Sequence, residues 1–565
     1  MEADYKKSHY GIGGKRRIVV IAMIAMLIIA VRLSYYTGPI FANTQDEGIY
    51  YSQIASNVIF KNPISFSQYR NANFSNVTSG LFNPAEAFQF YVGLLYPIIF
   101  MARLFGFSAS LPIAYVMLTS VVEGVFIFLI IEKISGARAA VIGGVLFAFL
   151  PVDVLFSDQL QPLVPAAMAL AISVYVFISA GEVFAKKKQK ASTWLCLYAV
   201  AGFFIGVSYI TNPIGISMLI FLALVVIAGM IIEREAKHHL GMLLMMVIGF
   251  AIAYSMIGIL FFAQSGNYLL FPMVDSAIYK YQLATQPVLN QTIAKTITLQ
   301  YTVGPVASYV PVIFDFPMSF YLPYLRYFGV FGYALISMAI IALNPGSRNR
   351  YAFFFVSMFA FLFLEISAAP TLISFKNGML YLNLVPHLPY VMVILGLPMI
   401  VVIALGLETI ISGGSRYSKY AVVVIMAVIL ISANLDLLRD TSYYNASTFT
   451  LHRFVDFVQQ QPGSVFYAEW LFAGNANLLT GYRYNVEPLS NCSYAYLAAL
   501  NTTYIALGGT ISLDISPYTI TSFDSCAEPN ITTDYRLVYY SGNPLSYYND
   551  YGPTPQLEIY QKIAR

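Results

Sequence analysis

Asp46 and Glu47 stand side by side in the stretch NTQDEGIYYSQIASN, residues 43–57. A carboxylate can take a proton from an attacking hydroxyl, or it can hold a divalent cation that neutralises a leaving phosphate. The ordinary alternative is structural, because Thr44 followed three residues later by Glu47 matches a helix capping box, and acidic residues are favoured in a first helical turn. Both interpretations fit together, since a helix that starts here fixes Asp46 in place.

Other polar side chains stand beside or inside apolar stretches. Asp158 lies shortly before a proline, so its ordinary alternative to a catalytic role is that of an exposed turn residue. Glu123 lies well inside an apolar run, where an ionisable group is a functional candidate by default, although neutralisation or a helix-to-helix hydrogen bond explains it equally well. Arg32 has snorkelling to the membrane interface as its ordinary explanation. His387 fits a structural hydrogen bond, and no His/Cys group has metal-ligand spacing.

The elements that must position these residues are membrane helices. Of the 565 residues, 58% are hydrophobic and only 10% are charged, and the mean hydropathy is +0.68. A soluble fold could not bury so much apolar surface, so the chain is predicted to be a polytopic membrane protein. A net charge of +4 on so long a chain says nothing about nucleic acid, but the sequence has no basic tract with interleaved aromatics of the kind that nucleic-acid binding needs, so no nucleic-acid partner is expected.

Apolar runs of spanning length predict eleven transmembrane helices. They fall near residues 18–40, 112–132, 139–157, 162–181, 194–210, 214–232, 240–263, 321–343, 351–369, 387–410 and 420–435. Alternate connections read EKISGAR, AKKKQK, EREAKHH, NPGSRNR and GSRYSK, which are basic in balance or carry histidine. The positive-inside rule therefore predicts a multi-pass protein of the cytoplasmic (plasma) membrane with its N-terminus inside.

Seven Asn-x-Ser/Thr sequons give an independent check on this topology. The predicted topology places all of them outside: Asn73, Asn76, Asn290, Asn445, Asn491, Asn501 and Asn530. The apolar segment 87–107 would invert the topology downstream if it crossed the membrane, so we predict an outer helix that lies in the interface or is partly embedded. The sequons also favour a host that N-glycosylates its surface proteins, such as one with an archaeal-type envelope.

The topology divides the chain into regions. These are a cytoplasmic N-terminus at 1–17, a transmembrane domain at 18–435 with outer loops at 41–110 and 264–320, and an extracytoplasmic domain at 436–565. In the last region TFTLHRFVDFVQQQPGS predicts an amphipathic helix, and SVFYAEW, TTYIALG, YRLVYYS and QLEIYQKI predict strands, so we expect a small α/β or α+β domain. Cys492 and Cys526 both lie there, where a disulfide could persist, and their pairing stays open.

The order of these features resembles a known family. A first helix that ends in Arg32-Leu33, followed by a loop with Asp46-Glu47, a tyrosine and an amphipathic helix, is similar to the GT-C membrane glycosyltransferases. The groups most similar are the protein O-mannosyltransferases and the lipid A aminoarabinose transferases. The resemblance continues in LYPIIFMARLFGFSASLPIAY, VAGFFIGVSYITNPIGI, KNGMLYLNLVPHLPYVMVILGLPMI and GSVFYAEWLFAGNANLLTGYRYN.

The resemblance implies an enzyme that moves a sugar from a polyprenyl-phosphate donor, of the dolichyl-phosphate type, to an extracytoplasmic protein, lipid or glycan, with inversion. Asp46 is then the expected base and Glu47 orients the acceptor or an ion. Asp46 would also hold a divalent cation, Mg²⁺ or Mn²⁺, if one is used. The prenyl tail would lie in the bilayer, with the phosphosugar at its outer face.

Two positions depart from the family pattern. The acidic residue expected before a proline at the end of the third span aligns with Gln161, while Asp153 and Asp158 lie slightly earlier, so either Asp158 takes this role or the second acid is absent. The basic residue expected before Pro213 is replaced by Asn212. Candidates for binding the phosphate or the substrate are therefore Asn212, Gln161, Tyr50, Lys376 and Arg326, with Lys280 and Lys295 as further outer lysines.

Three other functions stay open. A transporter or flippase for lipid-linked sugars predicts functional charges inside the spans, around Glu123, and broken helices in paired halves. A catalytically degenerate GT-C protein with a binding role would fit the two departures. YYNDYG at 547–552 is similar to an oligosaccharyltransferase motif, but it lies close to the end of the chain and lacks the tryptophans, so we interpret it as a turn.

Overall fold

The computed structural model describes a set of segments of the chain. They are residues 14–36, 54, 58–59, 92–185, 191–212, 214–233, 236–265, 301–305, 337–338, 349–368, 372–376, 379–384, 393–412, 416–468, 470–481, 483–489, 493–508, 532, 534–541 and 557–563. The chain is divided into two compact units. The first comprises residues 1–36, 89–94 and 115–438, and the second comprises residues 37–88, 95–114 and 439–565.

Helices dominate the described residues. The first nine are α1 Gly14–Tyr35, α2 Val92–Phe105, α3 Ser110–Ser135, α4 Ala137–Ala148, α5 Pro151–Ser157, α6 Leu163–Ala185, α7 Ala191–Thr211, α8 Gly215–Glu233 and α9 Ala236–Ser265. Later in the chain come α10 Asn349–Ala368, α11 Gly396–Ser412, α12 Arg416–Gln460, α13 Trp470–Leu479 and α14 Tyr494–Ala499. Their positions follow the apolar runs of the sequence from α3 to α9.

Within the described residues, seven helices are long and apolar enough to cross a membrane, and the bent pair α4 and α5 makes eight if the two count as one span. A further three apolar helices are shorter, so the predicted total of eleven is not confirmed. α2 has 14 residues and contains Pro97. About 20 residues are needed to cross a bilayer, so the length of α2 agrees with the predicted helix that does not span.

The bundle of the first unit packs most closely where small residues meet. Gly202 and Gly206 lie one turn apart on α7, and Gly249 lies on α9. A Cβ at Gly202 would overlap the carbonyl of Met246, and a Cβ at Gly249 would overlap the carbonyl of Ala199. Because membrane helices associate through such close backbone approach, these glycines hold α7 against α9.

Ion pairs connect helix ends that the positive-inside rule assigns to one side of the membrane. Arg17 at the start of α1 pairs with Glu132 near the end of α3 at 2.8 Å, and Lys133 pairs with Glu182 of α6 at 2.9 Å. Arg138 and Glu408 approach to 3.9 Å. These ion pairs are therefore consistent with the predicted topology, in which the helix ends that they join lie on the same side of the membrane.

A three-stranded antiparallel sheet also belongs to the first unit. Its strands are β1 Tyr301–Pro305, β2 Leu372–Lys376 and β3 Met379–Leu384, in the order β1-β3-β2. The two residues between β2 and β3 are Asn377 and Gly378, the pair most typical of a two-residue hairpin connection. These strands are not among those predicted from the sequence, although this dipeptide is a signal for them.

The second unit contains a five-stranded mixed sheet. Its strands are β4 Val465–Ala468, β5 Asn485–Pro488, β6 Tyr504–Gly508, β7 Tyr535–Ser541 and β8 Leu557–Lys562, in the order β5-β4-β6-β8-β7. β4 is parallel to both β5 and β6, whereas β8 is antiparallel to β6 and β7. Four of the five strands coincide with the predicted strands, and β5 was missed because NVEP is short and not apolar.

Side chains alternate between the two faces of this sheet. One face, with Phe466 and Ile559, packs on Phe454 of α12 and Phe472 of α13. The other face packs Ile505, Leu507 and Tyr560 on Leu497 of α14. This period of two residues gives three layers, with helices on both faces of the sheet.

Tyr535 ties the outer strand β7 to α14, because its hydroxyl donates a hydrogen bond to the carbonyl of Leu497 at 2.8 Å. Burial, and then the nearby charge of Asp534, raise the pKa of Tyr535 to about 12. The phenol therefore stays a neutral donor throughout the physiological pH range.

α12 is a single helix of 45 residues. The predicted amphipathic helix forms its C-terminal part and ends at Gln460, just before Pro462 and Gly463, as the sequence indicates. The domain boundary predicted at 435 and 436 falls inside this helix, so it stays a prediction.

Candidate active site

Several predicted site residues lie outside the described residues. They are Asp46, Glu47, Tyr50, Arg326, Cys492 and Cys526, together with Lys280, Lys295 and His387. Lys376 ends β2, where it is in register with Met379 of β3. The predicted site residues that the structure describes are therefore Asp158, Gln161, Asn212 and Lys376, with Asp153 five residues before Asp158.

The region around Asp153 and Asp158 is built on a break in a predicted span. α4 ends at Ala148 and α5 begins at Pro151, with a bend of 53° between them. Proline fixes its own φ, lacks an N–H donor and disfavours helical geometry in the residue before it. Leu150 accordingly has extended dihedrals, φ −66° and ψ 110°, and caps the new helix. One proline thus turns the predicted span 139–157 into two helices.

Arg32 of α1 reaches into this break. Its guanidinium donates hydrogen bonds to the carbonyl of Ala148 and, at 3.5 Å, to that of Phe147, and it forms an ion pair with the carboxylate of Asp153. Arg32 is 1% exposed. The snorkelling expected for Arg32 is therefore wrong, because a carboxylate and two helix-end carbonyls satisfy the guanidinium inside the bundle.

Ser120 of α3 completes the cluster. Its hydroxyl donates to Asp153 Oδ2 at 2.5 Å and accepts a hydrogen bond from Arg32 Nε at 3.2 Å. Glu123, one turn further along α3, is fully buried and lies within electrostatic reach of Asp153 and Arg32. Among the described residues, neither carboxyl oxygen of Glu123 has a hydrogen-bond partner. Within the part of the chain that the structure describes, Glu123 therefore makes no helix-to-helix hydrogen bond.

The turn between α5 and α6 carries the candidate catalytic residue Asp158 and the candidate substrate contact Gln161. Asp158 caps the C-terminus of α5, and the N–H of Gln161 donates to the carbonyl of Gln159 at 2.8 Å, which makes the turn tight. Asp158 is 6% exposed, and both glutamines are 1% exposed. The exposed turn expected at Asp158 is thus wrong, since the turn is enclosed by the protein.

Gln159 is a polar residue that the sequence analysis missed. Both its amide oxygen and its amide nitrogen are buried without a hydrogen-bond partner among the described residues. Leaving such a group unpaired costs about 1–3 kcal/mol. Its neighbours in sequence, Asp158 and Gln161, were the available signal, because three polar residues in four interrupt an otherwise apolar stretch.

Asn212 has a structural role at the end of α7. Its side-chain oxygen accepts a hydrogen bond from the N–H of Ile214 at 3.0 Å, and its carbonyl accepts one from the N–H of Gly215 at 3.0 Å. These bonds form an Asx turn that ends α7 before Pro213 and starts α8. The side-chain oxygen of Asn212 therefore already accepts a hydrogen bond. The predicted contact of Asn212 with a phosphate stays a prediction.

The described residues contain no group of side chains suited to bind a divalent cation. In that part of the chain no three His, Cys, Asp or Glu residues form a group that could hold a metal ion. Asp46, to which the cation was assigned, lies outside it. The cation therefore stays an expectation, and the chemistry below is derived from the side chains of the chain.

Comparisons with known proteins agree with this architecture. The family model of dolichyl-phosphate-mannose-protein mannosyltransferase matches residues 93–254. Comparison with curated protein sequences finds no match. The structure of ArnT from Cupriavidus metallidurans bound to undecaprenyl phosphate is similar, with a TM-score of 0.53 and 12% identity over 98% of this chain and 99% of that chain.

A second solved structure is the archaeal oligosaccharyltransferase AglB from Archaeoglobus fulgidus in complex with an inhibitory peptide and a dolichol-phosphate. It has a TM-score of 0.47 and 14% identity, over 86% of this chain and 69% of that chain. The resemblance to the GT-C superfamily of membrane glycosyltransferases is confirmed by the family-model match and the fold. The chain is a polytopic α-helical membrane protein of GT-C fold with a small C-terminal sheet region.

Proposed function

We propose that the protein transfers a sugar from a polyprenyl-phosphate donor to an acceptor outside the cytoplasmic membrane. The observation that supports this most is the similarity of fold, over 98% of the chain, to an ArnT structure whose ligand is undecaprenyl phosphate. The family match over residues 93–254 favours the same class of donor. The buried turn at 158–161 supports it further, since the amide of Gln159 is enclosed there without a hydrogen-bond partner among the described residues, and such a group is costly unless it serves a function.

The proposed reaction is a single displacement at the anomeric carbon. The oxygen of the acceptor hydroxyl attacks this carbon, while the bond between the carbon and the phosphate oxygen breaks. The polyprenyl phosphate leaves with the electron pair, and Asp46 takes the hydroxyl proton as general base. Attack and departure occur on opposite faces of the sugar, so the configuration inverts. Glu47 orients the acceptor.

Asp158 is proposed as the second acidic residue of the site, because it lies at the enclosed end of α5 rather than in an exposed turn. Gln161 is proposed to hold the donor through hydrogen bonds. The remaining proposed contacts to the phosphate or the sugar are Asn212, Lys376, Arg326 and Tyr50. Loops 41–110 and 264–320 would enclose the donor at the outer face and exclude water.

The decisive experiment is sugar transfer in reconstituted membranes with a panel of polyprenyl-phosphate sugars. We expect Asp46→Asn to lower the rate about 10²–10⁴-fold, which is the usual contribution of a general base. The matched control is Asp456→Asn, because Asp456 is an exposed carboxylate on α12 outside the proposed site. Full activity of the Asp46 variant would remove this residue from the mechanism.

A second candidate function is transport of lipid-linked sugars. The specific observation in its favour is the broken helix α4–α5 together with the buried ionisable side chains of Arg32, Asp153 and Glu123, because broken helices and intramembrane ionisable groups mark binding sites in transporters. A flippase moves its lipid intact, whereas a transferase cleaves the bond from the sugar to the phosphate. Product analysis therefore separates the two functions.

A further inference from the structure

We propose that Arg32 is a positioning residue that fixes the bend between α4 and α5 and thereby places the turn with Asp158 and Gln159. The inference rests on the proposed function for its catalytic consequence. Its structural part, a clamp across a broken helix, rests on the contacts of Arg32 alone.

The clamp is a set of contacts to both sides of the break. The last carbonyls of a helix have no partner within the helix, and inside a membrane protein they must find one. Arg32 donates to two carbonyls at the end of α4, that of Ala148 and, at 3.5 Å, that of Phe147, which also accepts a hydrogen bond from the N–H of Leu150. The same guanidinium pairs with Asp153, which lies in the first turn of α5. One side chain from α1 therefore joins the end of one helix to the start of the next.

Ser120 adds a third helix, α3, to the contacts of this clamp. Its hydroxyl bridges Asp153 Oδ2 and Arg32 Nε, so the pair is also anchored to α3. The guanidinium is planar and carries five donors in a fixed fork, which a lysine ammonium cannot reproduce. These contacts therefore fix the angle between α4 and α5 in addition to balancing the charges.

Burial supports a role in geometry more than one in stability. The side chains of Arg32 and Asp153 are each 1% exposed. The cost of removing two charges from water often exceeds their attraction, so apolar residues of similar volume are frequently as stable. A fully buried pair at a helix break therefore fits a requirement for one defined conformation better than a requirement for stability.

The bend controls where the candidate catalytic turn lies. α5 has seven residues, which correspond to about 10 Å of helix, and Asp158 follows directly at its end. A rotation of α5 by about 10° would displace the turn by about 2 Å over that length. Displacements of about 1 Å can cost about 100-fold in rate when a reaction depends on alignment. The clamp thus acts on catalysis without contact with the substrate.

The test uses the full-length protein in lipid nanodiscs and two measurements. Amide hydrogen exchange of residues 149–162 reports the bend directly and needs no substrate. Steady-state sugar transfer, per folded molecule, reports kcat and the donor KM. The variants are Arg32→Lys, which keeps the charge but not the fork, and Arg32→Met combined with Asp153→Leu, which leaves no unpaired charge.

The matched control is Arg17→Met combined with Glu132→Leu. This pair also joins α1 to α3, but Arg17 is 42% exposed and both residues lie far from the break. About 22 Å of helix separates Arg17 from Arg32 along α1. We expect the control to leave both measurements unchanged.

For the Arg32/Asp153 double variant we expect faster exchange at 149–162 and a kcat about 100-fold lower, with a smaller rise in the donor KM, because the displaced turn carries Gln161 while the other proposed donor contacts remain. Arg32→Lys should fall between this variant and wild type in both measurements.

Unchanged exchange in the double variant would overturn the clamp. Faster exchange with unchanged kcat would overturn its role in catalysis. Wild-type protein inactive with every donor, but with the expected exchange pattern, would support the clamp and contradict the proposed function.

Discussion

The helix break in the membrane unit and the C-terminal sheet are ordered by different kinds of contact. At the break, one buried arginine donates hydrogen bonds to one oxygen of a carboxylate, a hydroxyl and two helix-end carbonyls. In the sheet, apolar side chains on both faces pack against helices, with Phe466 and Ile505 fully buried on opposite faces. The sheet therefore depends on many exchangeable apolar contacts, whereas the break depends on a few polar contacts that fail together.

This difference predicts where single substitutions are tolerated. An apolar core loses stability in proportion to the volume removed at each site. A buried polar cluster loses most when one partner is removed and the other is left charged, and it recovers when both are replaced. A second substitution should therefore restore stability at the helix break, where it removes the unpaired partner. In the sheet it should lower stability further, because more apolar volume is lost.

The largest effect is expected at the break. Asp153→Leu leaves the guanidinium of Arg32 unpaired inside the bundle, which should lower the free energy of unfolding by about 3–5 kcal/mol. Adding Arg32→Met should restore most of this loss. Thermal unfolding in detergent micelles, followed by loss of monodisperse protein, measures both variants. A double variant as unstable as the single variant would show that the pair itself is required for stability.

A loss of similar size is expected in the sheet. Phe466→Ala removes a fully buried ring from β4 and should cost about 3–5 kcal/mol. Hydrogen exchange of the peptides from β4 and β6 reports this loss locally. Tyr540→Ala serves as the control, because Tyr540 is 53% exposed on β7. A small effect at Phe466 would contradict the core assigned to this face.

A smaller effect is expected when the break loses only its hydroxyl. Ser120→Ala removes the hydrogen bond to Asp153 but keeps the ion pair, so the free energy of unfolding should fall by about 1.5–3 kcal/mol. Ser34→Ala is the matched control, since the exposed Ser34 hydroxyl donates its hydrogen bond to the carbonyl of Ala30 within α1. Equal thermal stability of the two variants would remove Ser120 from the cluster.

The smallest effect is a pH dependence of the helix beside the sheet. Burial lowers the pKa of His452 on α12 below 6.5, and the charge of Asp456 opposes this shift only in part. The stability from neutral His452 is therefore present above pH 6.5 and is lost as the pH falls through the lowered pKa. Protection factors for residues 451–460 should decrease between pH 7.5 and 5.5, and His452→Gln should abolish that decrease. An unchanged slope in the variant would assign it to another group.

The sheet could be predicted from sequence because its information is local. Alternation of apolar and polar residues predicted four of the five strands, and Pro462-Gly463 predicted the end of α12. Likewise, apolar runs predicted most membrane helices. β5 was missed because its four residues NVEP carry no such alternation.

The cluster at the break could not be predicted because its contacts join distant parts of the chain. Arg32 and Asp153 are 121 positions apart, and Ser120 belongs to a third helix. The sequence did place Pro151 and Asp153 in one span, and Pro151 was the available sign of a break. Whether a buried arginine finds a carboxylate or reaches the interface depends on helix packing, which periodicity does not encode. The role of Asp46 stays a prediction.

The central claim is that a lipid-linked sugar is cleaved and transferred. Its most direct test is to follow a polyprenyl-phosphate sugar, labelled in the lipid, in proteoliposomes that contain the protein and an acceptor outside. The account predicts release of free polyprenyl phosphate together with glycosylated acceptor, and a loss of about 100-fold or more in Asp46→Asn. Movement of the intact lipid-linked sugar across the bilayer, without release of polyprenyl phosphate, would contradict it.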